Sequence, residues 1–186
     1  METTVGQQVQ VITYYINTLC VDVKDGLPMN HLKFIPMSQK HAKTIATWTY
    51  PEPYSLYNMD DDEETIEELT GGNYYAALDE EEQLIGFICI GEAARVPGGY
   101  AARIYNNEQQ IDIGLGMRPD LTGNGQGGLF LKESISFIRN LSNYSSLQLV
   151  VATFNERAMK VYERAGFHKG QTFLSRDREF LVMNQI

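Results

Sequence analysis

Four glycines stand within six residues, at Gly123, Gly125, Gly127 and Gly128, directly ahead of an apolar-periodic segment, Leu129–Ile138, whose spacing predicts a helix. A turn of this kind leaves backbone N–H groups uncovered at a helix N-terminus, where the helix dipole also favours negative charge. So dense a run of glycine costs conformational entropy that an ordinary turn has no need to lose. The chemistry it fits is the binding of an anion, and the phosphates of a nucleotide-bearing cofactor are the natural guest. Pro119 stops a strand-like run, Gln110–Met117, just before the turn.

Spacing separates the known kinds of phosphate turn. Gly123-x-Gly125-x-x-Gly128 fits the dinucleotide fingerprint literally, but that fingerprint puts its first glycine at the strand end and an acidic residue about 20 positions on. Here Arg118–Thr122 intervene, and the next strand-like run, Leu147–Thr153, leads into Phe154 and Asn155, neither of them acidic. A Walker loop needs Gly-Lys-Ser/Thr, and the first lysine after the turn is Lys132.

What remains is Thr122-Gly-Asn-Gly-Gln-Gly-Gly128, followed after the next strand by Asn155-Glu-Arg-Ala-Met-Lys-Val-Tyr-Glu-Arg-Ala-Gly-Phe167. Together these resemble the two signatures of the GNAT superfamily of N-acetyltransferases, and the likeness runs from about Leu32 to Ile186. The chain departs from the usual pattern at Thr122, where Arg or Gln is preferred, and at Gln126, where a small aliphatic residue is usual. Local physics agrees with the second signature. Asn155 suits a helix N-cap and Gly166 the left-handed position past a helix end. At about 3.6 residues per turn, Asn155 and Tyr162 fall on nearly one helix face.

The resemblance implies acetyl-coenzyme A as cosubstrate. It implies that the segment Thr122, Gly123, Asn124, Gly125, Gln126, Gly127 and Gly128 holds the coenzyme's diphosphate. The strand edge at Leu115, Gly116 and Met117 would pair with the pantetheine amides, and Asn155 and Tyr162 would meet the coenzyme arm. It further implies that Trp48, Tyr50, Tyr54 and Tyr57 line the acceptor pocket, and members of the family are commonly homodimers. The expected activity is direct acetyl transfer to a primary amine of a small molecule or peptide. Tyr162 would be the general acid that protonates the departing thiolate, work worth typically 10²–10⁴-fold. Asp112 shares a strand face with Gly114 and Gly116, opposite apolar Ile111, Ile113, Leu115 and Met117, and is the candidate general base. Two rivals stand beside this reading: a non-catalytic acyl-coenzyme A-binding module, and a dinucleotide-dependent oxidoreductase that lacks its ribose-binding acid.

The elements that must position these groups follow in order from Leu32. We expect strand Leu32–Pro36, helix Ser38–Trp48, an aromatic loop to Met59, helix Asp62–Thr70, and strands Tyr74–Leu78 and Leu84–Gly91. A connection over Glu92–Glu108 has no clear pattern, and its length points to a functional loop. Strand Gln110–Met117, the glycine turn and helix, strand Leu147–Thr153, helix Glu156–Ala165, and strands His168–Leu174 and Glu179–Met183 complete the series. The fold class is α/β, and the resemblance implies a mixed, mostly antiparallel central sheet flanked by helices on both faces, over residues 31–186. Residues 1–30 precede it. Gln8–Val11 and Thr18–Val23 alternate like strands, and Met29 just ahead of the family-like part leaves two readings, an added strand or an upstream extension with a non-native start.

Bulk properties narrow the partners. At 186 residues and 43% apolar content the chain can bury a core. A net charge of −9 argues against nucleic acid and suits a cationic small molecule. Cys20 and Cys89 form no metal or disulfide pattern, which makes a reducing cytoplasm the default. No apolar run reaches the ~18–20 residues of a membrane span. His31, His41 and His168 show no ligand spacing, and neither cysteine lies near the motifs, so no metal and no acyl-enzyme are expected. The acidic runs Asp60–Glu64 and Asp79–Glu82 read as solvated surface.

Overall fold

A computed structural model describes residues 31–141 and 144–186. The alternating segments of residues 1–30, Cys20 and the question of Met29 lie outside the described residues. Seven strands form one sheet: β1 (Lys33–Pro36), β2 (Tyr74–Leu78), β3 (Leu84–Ile90), β4 (Gln110–Met117), β5 (Ser146–Ala152), β6 (His168–Ser175) and β7 (Arg178–Gln185). Their spatial order is β1-β2-β3-β4-β5-β7-β6, and every neighbouring pair is antiparallel except β4 with β5. Tight turns make β2–β3 and β6–β7 antiparallel hairpins, and a helix carries the chain back between the parallel β4 and β5.

Helices cover both faces, as alternation of side chains along the strands requires. On one face α4 (Gly127–Leu141) and α5 (Glu156–Arg164) bury Phe130, Leu131, Ile138, Met159 and Tyr162 against Ala77, Ile88, Ile113, Leu149 and Met183. On the other, α1 (Gln39–Ala46) and α2 (Glu63–Thr70) bury Ala42, Ile45, Ile66 and Leu69 against Ala76 and Cys89. Ser38 caps α1 by accepting from the His41 N–H, and Asp62 caps α2 from Thr65. The Thr65 bonds hold the Asp62 carboxyl below its ordinary range.

The connection expected to lack structure does not. Residues Gly91–Ala94 form a 3₁₀ turn and Gly98–Ala101 a short helix, α3. Its order comes from distant partners that no local pattern reveals. The Tyr105 hydroxyl accepts from the Val96 N–H at 2.7 Å, and the Gly98 N–H donates to Ser175 Oγ at 3.1 Å. Beneath it Ile104 packs with Ala152, Phe173, Phe180 and Val182.

Candidate active site

Strands β4 and β5 pair only over Gln110–Asp112 and Ser146–Gln148, and beyond those rungs they part. β4 stays hydrogen-bonded to β3, with Gly86 facing Met117 and the Arg118 N–H donating to the Ile85 carbonyl at 2.8 Å. Bonded and non-bonded pairs alternate in an antiparallel ladder, so the N–H and C=O groups of Ile113, Leu115 and Met117 point away from β3. At Leu115 and Met117 they face an opening with no strand across it, although β5 remains paired to β7 as far as Ala152. An extended arm with amide groups fits that edge as an added strand would.

The turn at the end of β4 is built to expose its backbone. After a 3₁₀ turn at Pro119–Leu121, Gly123 and Gly125 take φ of +84° and +78°, where a side chain would be strained. Thr122 Oγ1 donates to the Pro119 carbonyl and the Asn124 side chain to the Asp120 carbonyl, so both polar residues shape the turn itself. Among the described residues, none accepts a hydrogen bond from the backbone N–H groups of Gly123 through Gly128. A Cβ on Gly125 or Gly128 would meet nothing within 4 Å. Unpaired amides around open space at the start of a fifteen-residue helix fit a diphosphate. Helix α4 begins at Gly127, two residues earlier than its apolar period suggests, because glycine has no side chain to register in that period. The Gln126 amide oxygen is buried without a partner among the described residues, the cost of a polar residue where the family places an aliphatic one.

Helix α5 starts at the end of β5, beside the same opening. Asn155 caps it by accepting from the Ala158 N–H, while its side-chain NH₂ donates to the Tyr57 hydroxyl at 3.2 Å. Tyr54 and Tyr57 both pack on Phe154, with ring centroids 5.9 and 6.2 Å apart. Tyr50 donates to the Met117 carbonyl at 2.7 Å. Three of the four expected acceptor-side aromatics thus gather at the strand opening. Trp48 does not. It is buried beside Phe87, with Met37, Ile45 and Leu69 in the core under α1 and α2, because the chain turns back onto the sheet as that helix ends.

Tyr162 projects from α5 toward Phe167, and its hydroxyl has no hydrogen-bond partner among the described residues. Burial pushes its hydroxyl well above the ordinary tyrosine range, and Tyr57 nearby pushes the same way. The phenol therefore stays protonated and free to donate. Asp112 is held by two neighbouring side chains. Its Oδ2 accepts from Arg95 Nε at 2.7 Å and its Oδ1 from Gln148 Nε2 at 2.8 Å. The Arg95 guanidinium also lies 4.9 Å from the Tyr105 ring centroid. Both oxygens of this buried carboxylate are thus engaged by neighbouring side chains, and a base role would require one of these contacts to be displaced. On the glycines beside it, Gly114 makes room for Cys89 and Gly116 for Phe87. Burial, and then the Glu68 charge, push the Cys89 thiol up to about 12, which keeps it from acting as a nucleophile.

Sequence reading missed Arg157, which stacks on the Tyr54 ring at 4.8 Å and borders Gly123. The available signal was a cation in the first turn of a helix, where the dipole disfavours it. The model of the acetyltransferase (GNAT) family matches residues 41–167, more than half of the chain. The chain belongs to the GNAT family. It is an N-acetyltransferase, and acetyl-coenzyme A is its cosubstrate. Among solved structures this GNAT chain is similar to a chimera of the spermidine N-acetyltransferase SpeG from Vibrio cholerae and hSSAT, at 17% identity and TM-score 0.59, over 83% of this chain and 95% of that one. It is also similar to AAC(6')-Ib in complex with ribostamycin and coenzyme A, at 16% identity and TM-score 0.65, over 84% and 93% of the two chains. At these identities the likeness is one of fold. No curated protein sequence matches the chain. Among the described residues no helix is long and apolar enough to cross a membrane.

Proposed function

We propose that the protein transfers the acetyl group of acetyl-coenzyme A directly to a primary amine of a small, cationic acceptor in a ternary complex. The parting of β4 from β5 carries the reading, because it leaves an edge that no strand pairs with and an unpaired run of amides side by side, with Tyr162 on the helix that starts beside them. The amides of Gly123–Gly128 would hold the diphosphate, and the Leu115 and Met117 edge the pantetheine arm. When bound, the donor supplies an acetyl thioester whose C–S bond breaks as the amine nitrogen bonds to the carbonyl carbon. The neutral amine attacks and its surplus N–H proton passes to water; Tyr162 gives the sulfur its proton and recovers one from water, while Tyr50, Tyr54 and Tyr57 shape the acceptor side. Holding both reactants in one geometry contributes up to ~7–11 kcal/mol in well-aligned systems.

A cationic acceptor is supported by the net charge of −9 and by the spermidine and aminoglycoside enzymes among the similar structures. The test has two parts. Coenzyme A binding is followed by thermal shift, and free-thiol release from acetyl-coenzyme A is followed with polyamines, aminoglycosides, amino acids and peptide N-termini. Coenzyme binding with acceptor-dependent thiol release is expected. Binding without release across the panel would leave a binding module, and absent binding would end the reading.

A further inference from the structure

We propose that Arg157 joins the two halves of the site: it reads the donor's phosphates and holds the acceptor-side loop through Tyr54, so donor binding orders that loop. This rests on the reading that the glycine turn seats the coenzyme's diphosphate.

Arg157 is the second residue of α5, directly after Glu156 and the Asn155 cap. A cation there meets the positive end of the helix dipole. Among the described residues it makes no ion pair that would offset this. The guanidinium is held by one face only, with its central carbon 4.8 Å from the centroid of the Tyr54 ring. Its Nη1 also lies 3.6 Å from where a Cβ on Gly123 would stand, beside the run of unpaired amides. A guanidinium stacked by its face keeps its N–H edge available, and that edge matches phosphate oxygens.

The opposite end of the connection is equally defined. Tyr54 opens the 3₁₀ turn Tyr54–Tyr57, and that turn rests on Phe154 and on the Asn155 side chain. One side chain therefore touches both the phosphate turn and the aromatic loop. Without an anion, Arg157 sits against the helix dipole and fixes Tyr54 weakly. With an anion on its edge the guanidinium is fixed from two sides, and the stacked ring is fixed with it. A loop ordered in this way presents the acceptor pocket once the donor is in place.

The experiment compares the full-length protein with Arg157→Ala, Arg157→Gln and Tyr54→Leu. Calorimetry gives the affinity for coenzyme A and for pantetheine, which lacks all phosphates, and hydrogen exchange follows residues 49–62 with and without saturating coenzyme A. Loss of a charge-assisted contact raises the coenzyme A Kd about 10–100-fold in both Arg157 variants. Pantetheine affinity stays the same. Coenzyme A slows exchange of residues 49–62 in the wild type, and saturating coenzyme no longer does so in the Arg157 variants. Tyr54→Leu raises the coenzyme A Kd by less than the Arg157 variants do, by the coupling alone, and loses the protection. Wild-type affinity in Arg157→Ala and Arg157→Gln, or full protection in Tyr54→Leu, would overturn the proposal while leaving the donor site intact. A wild-type protein that does not bind coenzyme A would overturn the reading beneath it.

Discussion

The Tyr50 hydroxyl donates to the Met117 carbonyl at 2.7 Å, tying the connection between α1 and α2 to the strand edge that faces the β4–β5 opening. The same connection is closed on itself by the Tyr50 N–H, which donates to Asn58 Oδ1 at 2.8 Å. The loop beside the opening is therefore registered against the edge expected to carry the donor. Tyr50→Phe removes one net hydrogen bond, about 0.5–1.5 kcal/mol, and should lower Tm by about 2–4 °C. Faster hydrogen exchange of residues 49–58 should accompany the loss. An unchanged Tm would mean that the tie holds nothing.

Gly128 separates a structural glycine from a binding one. It lies in the first turn of α4 with open space where a Cβ would go. Alanine there should stabilise the free protein by about 0.5–1 kcal/mol, as in any helix. If the space is the diphosphate seat, the same methyl group weakens coenzyme A binding. Urea denaturation and calorimetry on Gly128→Ala should therefore move in opposite directions; parallel gains would remove Gly128 from the site.

Tyr162→Phe should reduce kcat tenfold or more and leave KM for acetyl-coenzyme A nearly unchanged. The hydroxyl has no partner among the described residues, so its loss leaves no buried group orphaned and the fold should tolerate it. Steady-state kinetics beside a melting curve decide the matter, and a wild-type kcat discards the acid role.

Asp112→Asn should behave as a stability variant. It removes the buried partner of the Arg95 guanidinium, leaving it the exposed Glu92 carboxylate at 3.9 Å, and keeps a partner for Gln148, a loss of about 1.5–3 kcal/mol. The pH–rate profile of the surviving enzyme should keep its shape. A fall in kcat of two orders or more at unchanged stability, with one limb of the profile gone, would restore Asp112 as the base.

Alkaline pH should unfold the protein sooner than its modest tyrosine content suggests. Burial pushes Tyr50 and Tyr105 up to about 12, and Cys89 likewise, while Tyr74 and Tyr162 are raised further. A raised folded pKa means the unfolded chain releases its proton first. The stability is whole below the ordinary values, ~8.5 for cysteine and ~10 for tyrosine, and is lost as pH climbs toward the folded ones. Urea midpoints should fall steadily from pH ~9.5 upward, with Tyr50, Tyr74, Tyr105 and Tyr162 adding phenolate absorbance only as the chain unfolds. Ionisation of these four in the folded state would contradict this.

Some of the molecule is written locally in the chain. Alternation and a flanking turn place β2 and β4 at the bounds their residues predict, Tyr74–Leu78 and Gln110–Met117. Ser38, Asp62 and Asn155 cap the helices they precede, because a short polar side chain needs only its own next turn to do so. The two GNAT signatures are equally local, each a strand-to-helix turn, and so they carried the family before any coordinate did.

Pairings across the fold were settled elsewhere. Asp112 looked like a base until Arg95, seventeen residues away in a stretch without pattern, occupied its carboxylate. Trp48 looked like a pocket wall until the chain folded it under α1. Arg157 drew no notice until Tyr54, from a distant loop, came to lie over it. Backbone propensity and capping act over a few residues and can be read along a line. A side chain's charge partner, burial and stacking depend on which segments the sheet brings side by side, and only the folded chain decides that.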